Sequence, residues 1–289
     1  MKIVVAIDSF KGSLSSMRAG LAAKEGILRV FPEAQIHVSP VADGGEGTVE
    51  ALTLGMGGIS EQVEVTGPLG EMVTCVYGRI PEKKMAVIEM AGAAGLTLVP
   101  KRKRNPLYTT TFGVGEVIKD AIKKGCRHII VGIGGSATND GGVGMLQALG
   151  YEMCDQDGKQ IPFGAKGLEK LHKIENENVL PELKECTFHI ACDVKNPLCG
   201  KQGCSHVFAG QKGATLEMIE EMDKWLLKYS ELTMQYNEKS SADLPGSGAA
   251  GGLGFLEEAM QISNAEENMR DTAEQVFRMI QKIISYHTK

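Results

Sequence analysis

The chain opens on an apolar run, residues 2–7, which breaks at Asp8 into a polar turn and then into helically spaced apolar positions over residues 15–30, stopped near Pro32. A second apolar run, residues 36–41, ends in Ala42, Asp43, Gly44, Gly45, Glu46 and Gly47. Strand, helix, strand in this order predicts a βαβ unit with both polar turns after the carboxyl ends of parallel strands, the edge where ligands sit in open α/β sheets. From Val63 the texture changes to short β-type runs interrupted at Gly67-Pro68 and Pro81-Glu82, which predict strands joined by turns and the start of a second unit. The last of these strands ends at Glu89 and meets a run of small residues. A helix is predicted over residues 114–124, with Thr110 or Thr111 as its cap and Gly125 as its stop.

Residues 128–150 then combine an apolar strand (Ile129, Ile130, Val131), a glycine-rich loop and a helical pattern (Met145, Leu146, Ala148, Leu149). Beyond Gly150 the pattern predicts a strand, a turn at Asp157-Gly158, an apolar strand over residues 188–192 and a helix over residues 215–236. A second glycine loop spans residues 245–255. A final helix carries the apolar stripe Met269, Ala273, Val276, Phe277, Ile280, Ile283 and Ile284, which needs a sheet to cover, the N-terminal βαβ unit being the natural candidate.

Composition narrows the function more than the fold. A formal charge of −5 and a pI near 5.8 argue against non-specific binding to nucleic acid or an anionic membrane. Aromatic residues make up 5%, too few for a base-stacking platform, so small molecules are the expected partners. Seven scattered cysteines without a CxxC pair indicate neither a zinc site nor a disulfide framework and fit a reducing cytoplasm. No run approaches the ~18 apolar residues of a membrane span, and the first apolar run is too short for a signal peptide.

The candidate chemistry lies in the loops. Gly134 and Gly135 let backbone N–H groups approach an anion, and Ser136, Thr138, Asn139 and Asp140 crowd the same loop with oxygen-bearing side chains suited to phosphate, ordered water or hydrated Mg²⁺. A surface turn whose Ser and Asn merely cap the next helix is the plainer alternative. Asp8 with Ser9, and Asp43 with Glu46, are placed to face one crevice beside Lys11. Asp193, directly after a strand and close to Lys195 and Asn196, suits metal binding or proton removal, although an Asx-turn explains it too. Arg104 stands at a turn, and Lys212 occupies a glycine turn before a helix, where it meets an anion or only complements a surface. No GxxxxGK[ST] occurs, which excludes a Walker-type loop. Gly132-x-Gly134-x-x-Ala137, with Glu152 and Asp155 downstream, fits a dinucleotide fingerprint only loosely.

Taken together, IDSFKGSLSS (7–16), PVADGGEGTVEAL (40–52), RNPLYTTTFGVGE (104–116), GIGGSATNDGGVGMLQALG (132–150), ACDVKNPLCG (191–200), GQKGAT (210–215) and GSGAAGGLG (246–254) resemble the bacterial type-I glycerate kinase family, which is unrelated to P-loop kinases. The resemblance implies an α/β fold of two α/β domains. One is Rossmann- or flavodoxin-like and built from both chain ends (residues 1–62 and 256–289); the other is an inserted mixed α/β domain (residues 63–255) carrying the glycine loops. It also implies ATP-dependent phosphorylation of D-glycerate, with 2-phosphoglycerate favoured, and ATP and Mg²⁺ as cofactors. One departure stands out: after the second glycine loop a segment usual in the family is missing before the last helix. Either the full protein is longer and this sequence joins across a gap, or this is a shortened form, which is expected to expose a sheet edge and apolar surface unless another chain covers it, as in a homodimer.

Phosphoryl transfer needs charges around the γ-phosphate and a carboxylate for the hydroxyl proton. The expected division of labour puts phosphates on residues 134–140 with Lys11 as counter-charge. Asp193 serves as base or metal ligand, with Asp43 and Glu46 as rivals, and Arg104 or Lys195 pairs with the substrate carboxylate. The rival readings are a truncated, non-catalytic relative that binds a small hydroxy acid or nucleotide, and a dinucleotide oxidoreductase.

Overall fold

The computed structural model describes residues 1–10, 13–41, 45, 47–235 and 241–255. Lys11, Asp43, Glu46 and the C-terminal apolar stripe therefore lie outside the described residues.

The expected N-terminal unit is present. Strands β1 (Lys2–Ile7) and β2 (Gln35–Pro40) pair in parallel, Lys2 opposite Gln35 and Ile7 opposite Pro40, joined by helix α1 (Ser16–Val30). Ser15 caps α1 by accepting from Arg18 N at 3.4 Å. Ser16, the next residue, donates to Ile7 O and accepts from Val41 N at 3.1 Å, which ties the two strand ends together. A Cβ on Gly20 would lie 2.4 Å from Val38 Cγ1, so this glycine sets how closely α1 lies on its strands.

Helix α2 (Thr48–Gly55) leads into a five-stranded sheet ordered β3 (Ile59–Thr66), β4 (Met72–Ile80), β5 (Met85–Glu89), β6 (His128–Gly132) and β9 (Thr187–Ala191). The first three strands are antiparallel neighbours, and β5, β6 and β9 are parallel. The boundary expected between residues 62 and 63 falls inside β3, and α2 packs on this sheet through Val49, Leu52 and Met56 against Ile80, Val87 and Ile130. On the opposite face Ala86, Ile88, Ile129 and Val131 meet Val114, Val117, Ile118 and Ile122 of α4 (Phe112–Lys123). Burial on both faces is why β5 and β6 read as continuous apolar runs rather than alternating ones.

Short helices carry the connections: α3 (Ala91–Ala94) after β5 and α5 (Val143–Ala148) after the first glycine loop. An antiparallel pair, β7 (Glu152–Cys154) and β8 (Lys173–Glu175), brackets α6 (Ala165–Leu168). After β9 come α7 (Cys204–Phe208) and the long helix α8 (Leu216–Met234), capped by Thr215, which accepts from Met218 N at 3.3 Å. The second glycine loop holds α9 (Ala249–Gly252). Among the described residues no helix is long and apolar enough to cross a membrane.

Candidate functional site

The carboxyl ends of the three parallel strands lie side by side, with Glu89 opposite Gly132 and Gly132 opposite Ala191. Backbone bonds extend the alignment past the strands: Met90 N donates to Gly132 O at 2.9 Å and Ile133 N to Ala191 O at 3.3 Å. The carboxylate of Glu89 accepts from Gly47 N at 3.0 Å and Val49 N at 2.8 Å, the entry to α2. Charge-assisted bonds of this kind are the strong ones. The start of α2 is thereby fastened to the same edge as the loops after β5 and β6. Sequence reasoning gave Glu89 no role; the signal was an acid closing an otherwise apolar strand.

The first glycine loop is clamped on every side. Leu96 N donates to Gly135 O at 2.8 Å and Ala137 N to Ala94 O at 2.9 Å, and the Thr109 hydroxyl donates to Ala137 O at 2.8 Å. Gly134 and Gly135 are exposed, whereas Ser136, Thr138, Asn139 and Asp140 are buried. Asp140 accepts from Thr111 N at 2.9 Å, Thr111 Oγ1 at 2.8 Å, Gly142 N at 3.3 Å and Gly144 N at 3.4 Å. Burial raises its pKa above the usual carboxylate value, and those four donors pull the other way. Thr111 Oγ1 in turn accepts from Met145 N at 3.0 Å, so the residue read as a helix cap joins the starts of α4 and α5 through Asp140.

Lys212 enters this loop from below. Only 1% exposed, it donates through Nζ to Ser136 Oγ at 2.7 Å and Thr138 O at 2.6 Å. Burial lowers its pKa to about 8, against the attraction of Cys204 and Asp140. Asn139 Nδ2 donates to Ser205 Oγ at 2.9 Å, a partner with no sequence signal. Thr138 Oγ1 and Asn139 Oδ1 are buried without a hydrogen-bond partner in the structure.

The second glycine loop needs its glycines for contact with backbone. A Cβ on Gly251, whose φ is +75°, would lie 2.1 Å from Thr138 O, and one on Gly248 would lie 2.0 Å from Pro197 O. Gly141 N donates to Gly251 O at 3.0 Å, and Asn196 O accepts from Gly246 N at 3.2 Å and Gly248 N at 3.0 Å. This loop thus wedges between residues 138–141 and the loop after β9. In the latter, Asp193 and Lys195 are exposed, while Asn196 Nδ2 donates to Gln202 O at 2.8 Å. Arg104 is half-buried, with Nη1 donating to Gln211 O at 3.4 Å, and so adjoins the turn that carries Lys212. At the end of β1, Asp8 Oδ1 accepts from Ser9 N at 2.6 Å. Residues 134–140, Arg104, Lys212 and the loop of Asp193 and Lys195 are joined through these contacts, and Glu89 links the start of α2 to them.

Comparison with known proteins adds a family to this geometry. The profile of the glycerate kinase family matches residues 3–260. The chain is 50% identical over 254 residues to glycerate 2-kinase of Escherichia coli K12, an alignment covering 88% of this chain and 67% of the relative. It is 48% identical over 256 residues to glycerate kinase of Bacillus subtilis 168, covering 88% and 67%. A crystal structure from Salmonella typhimurium LT2 bearing the glycerate kinase 2 name superposes with a TM-score of 0.85 at 49% identity, covering 90% of this chain and 69% of that one. The chain thus spans about two thirds of the length of the relatives it matches.

Proposed function

The chain belongs to the glycerate kinase family, and from that premise we propose that it transfers the γ-phosphoryl group of ATP to a hydroxyl of D-glycerate, with 2-phosphoglycerate as the favoured product. The observation that carries the reading is the Glu89 carboxylate. By holding Gly47 N and Val49 N it gathers the start of α2 and the loops after β5 and β6 at one sheet edge. Glycerate is a small hydroxy acid, and its phosphorylation needs such a meeting of anion donors, carboxylates and cations.

In this reading the exposed Gly134–Gly135 turn receives phosphate oxygens on its backbone, and the buried side chains from Ser136 to Asp140 keep that turn in shape. Arg104 or Lys195 holds the glycerate carboxylate, and Lys11 supplies a further positive charge. Asp193 is exposed just beyond β9, where its carboxylate takes or orients the hydroxyl proton. Bound ATP with Mg²⁺ supplies the transferable phosphoryl group and neutralises charge on it. The hard carboxylate oxygens of Asp193, with those of Asp43 and Glu46, are the donors such a cation takes. Seven free thiols support a cytoplasmic location.

The test is direct. Purified chain with ATP, Mg²⁺ and D-glycerate is expected to release ADP in a coupled assay, and phosphorus NMR of the product assigns the phosphorylated hydroxyl. A folded preparation that binds D-glycerate yet forms no ADP above the glycerate-free control would sink the kinase reading in favour of a non-catalytic binder.

A further inference from the structure

Buried lysines usually have a carboxylate within reach, because an uncompensated ammonium in a protein interior is costly. Lys212 does not follow that rule: among the described residues no carboxylate lies within ion-pair distance of its Nζ, and its two hydrogen bonds go to neutral oxygens of Ser136 and Thr138. The Cys204 thiol and Asp140 attract it only at longer range, and Asp140 is itself engaged with four donors. An uncharged side chain of similar length, such as Met, would fill the same space without that cost. The ammonium sits directly behind the one exposed part of the loop, since Ser136 follows Gly134 and Gly135.

We propose that Lys212 is a positioning residue for nucleotide phosphate. Its buried ammonium holds the Gly134–Thr138 turn in the shape that receives a polyphosphate, and the compensating negative charge comes from that ligand. The inference rests on the kinase reading for the identity of the ligand but not for its test, which is a binding measurement. Phosphate oxygens at Gly134 and Gly135 stabilise the ammonium through Ser136, and the ammonium raises affinity for the phosphates by the same free energy, as linkage requires. Direct contact is not needed: Lys212 is too enclosed to touch the ligand, and its effect runs through the Ser136 hydroxyl and the local potential.

The experiment is calorimetric titration of the full chain with MgATP at pH 7 and pH 9, for wild type and Lys212→Met. With the free-state pKa of Lys212 near 8, the charged fraction falls about tenfold across that interval. With about a tenfold preference of the ligand for the ammonium form, wild-type affinity is therefore expected to drop about fivefold more than that of Lys212→Met, the titration of ATP itself being common to both and cancelling in the comparison. At pH 7 the variant is expected to bind about tenfold more weakly, with a higher KM for ATP. A folded Lys212→Met chain with wild-type affinity and the wild-type pH profile overturns the proposal, as does a wild-type chain with no affinity for MgATP. Should Lys212→Met fail to fold, Ser136→Ala takes its place: a raised KM for ATP and an altered alkaline limb support the coupling, and an unchanged profile overturns it. MgATP binding with the expected pH response but no glycerate turnover would sink the kinase reading and leave the role of Lys212 standing.

Discussion

Replacing Asp140 by Ala strands several buried donors at once. Its Oδ2 accepts from Thr111 N at 2.9 Å, Thr111 Oγ1 at 2.8 Å and Gly144 N at 3.4 Å, and its Oδ1 from Gly142 N at 3.3 Å. The two short bonds are worth about 1.5–3 kcal/mol each as bonds to a charged group, and the two long ones add little. Removal also relieves the burial that raises the pKa of Asp140, so a net loss of about 3 kcal/mol is expected. Asp140→Asn is the discriminating companion, because an amide oxygen at the Oδ2 position keeps both Thr111 bonds and forfeits only the long one from Gly142, at about 1 kcal/mol. Urea titration followed by circular dichroism measures both, with an unchanged slope indicating that only stability has moved. The sign of the pH dependence follows from the raised pKa: the unfolded chain ionises first, so the contribution of this group to stability falls as pH rises through the window up to its folded value. Asp140→Asn is expected to lose that slope. An Ala variant within 1 kcal/mol of wild type, or an Asn variant as costly as Ala, would refute the assignment of Asp140 as the pin between α4 and α5.

The other expectations concern single positions. Gly251→Ala is expected to cost more than about 3 kcal/mol, because its φ is +75° and the new Cβ would meet Thr138 O at 2.1 Å. Gly26→Ala in α1, with nothing within 4 Å, should instead gain about 0.5–1 kcal/mol, and urea midpoints of equal sign for the two would contradict this. Asp193→Asn is expected to lower kcat by about 100-fold or more with an unchanged melting curve, and near-normal turnover removes Asp193 from the chemistry. Lys212 has a folded pKa near 8, lowered from 10.5, so the cost of its buried charge is full below pH 8 and disappears as pH rises to 10.5. The stability gap between wild type and Lys212→Met should shift toward wild type by about 3 kcal/mol over that window, and a pH-independent gap would show that the ammonium is not buried.

Local chemistry made much of this protein legible from its sequence. The runs ending at Ile7, Glu89 and Gly132 are apolar because each strand packs on both faces or against a crossover helix, and such burial leaves a mark in consecutive residues. The turns at Gly67-Pro68 and Pro81-Glu82, and the start of the helix near Thr215, depend on neighbours and were equally readable. The ordered motifs pointed to the family, and the profile match over residues 3–260 bears that out. What the sequence alone left open was the purpose of residues whose partners are distant. Gly251 reads the same whether its backbone approaches a phosphate or, as here, the carbonyl of Thr138, since positive φ and a missing Cβ serve both. Lys212 read as either an anion contact or a surface complement, and only folding set it against Ser136, 76 residues away. Thr111 and Asp140 likewise meet across 29 residues. Periodicity records which side of an element is buried, but not against what; only the tertiary structure decided which oxygen each buried donor would face.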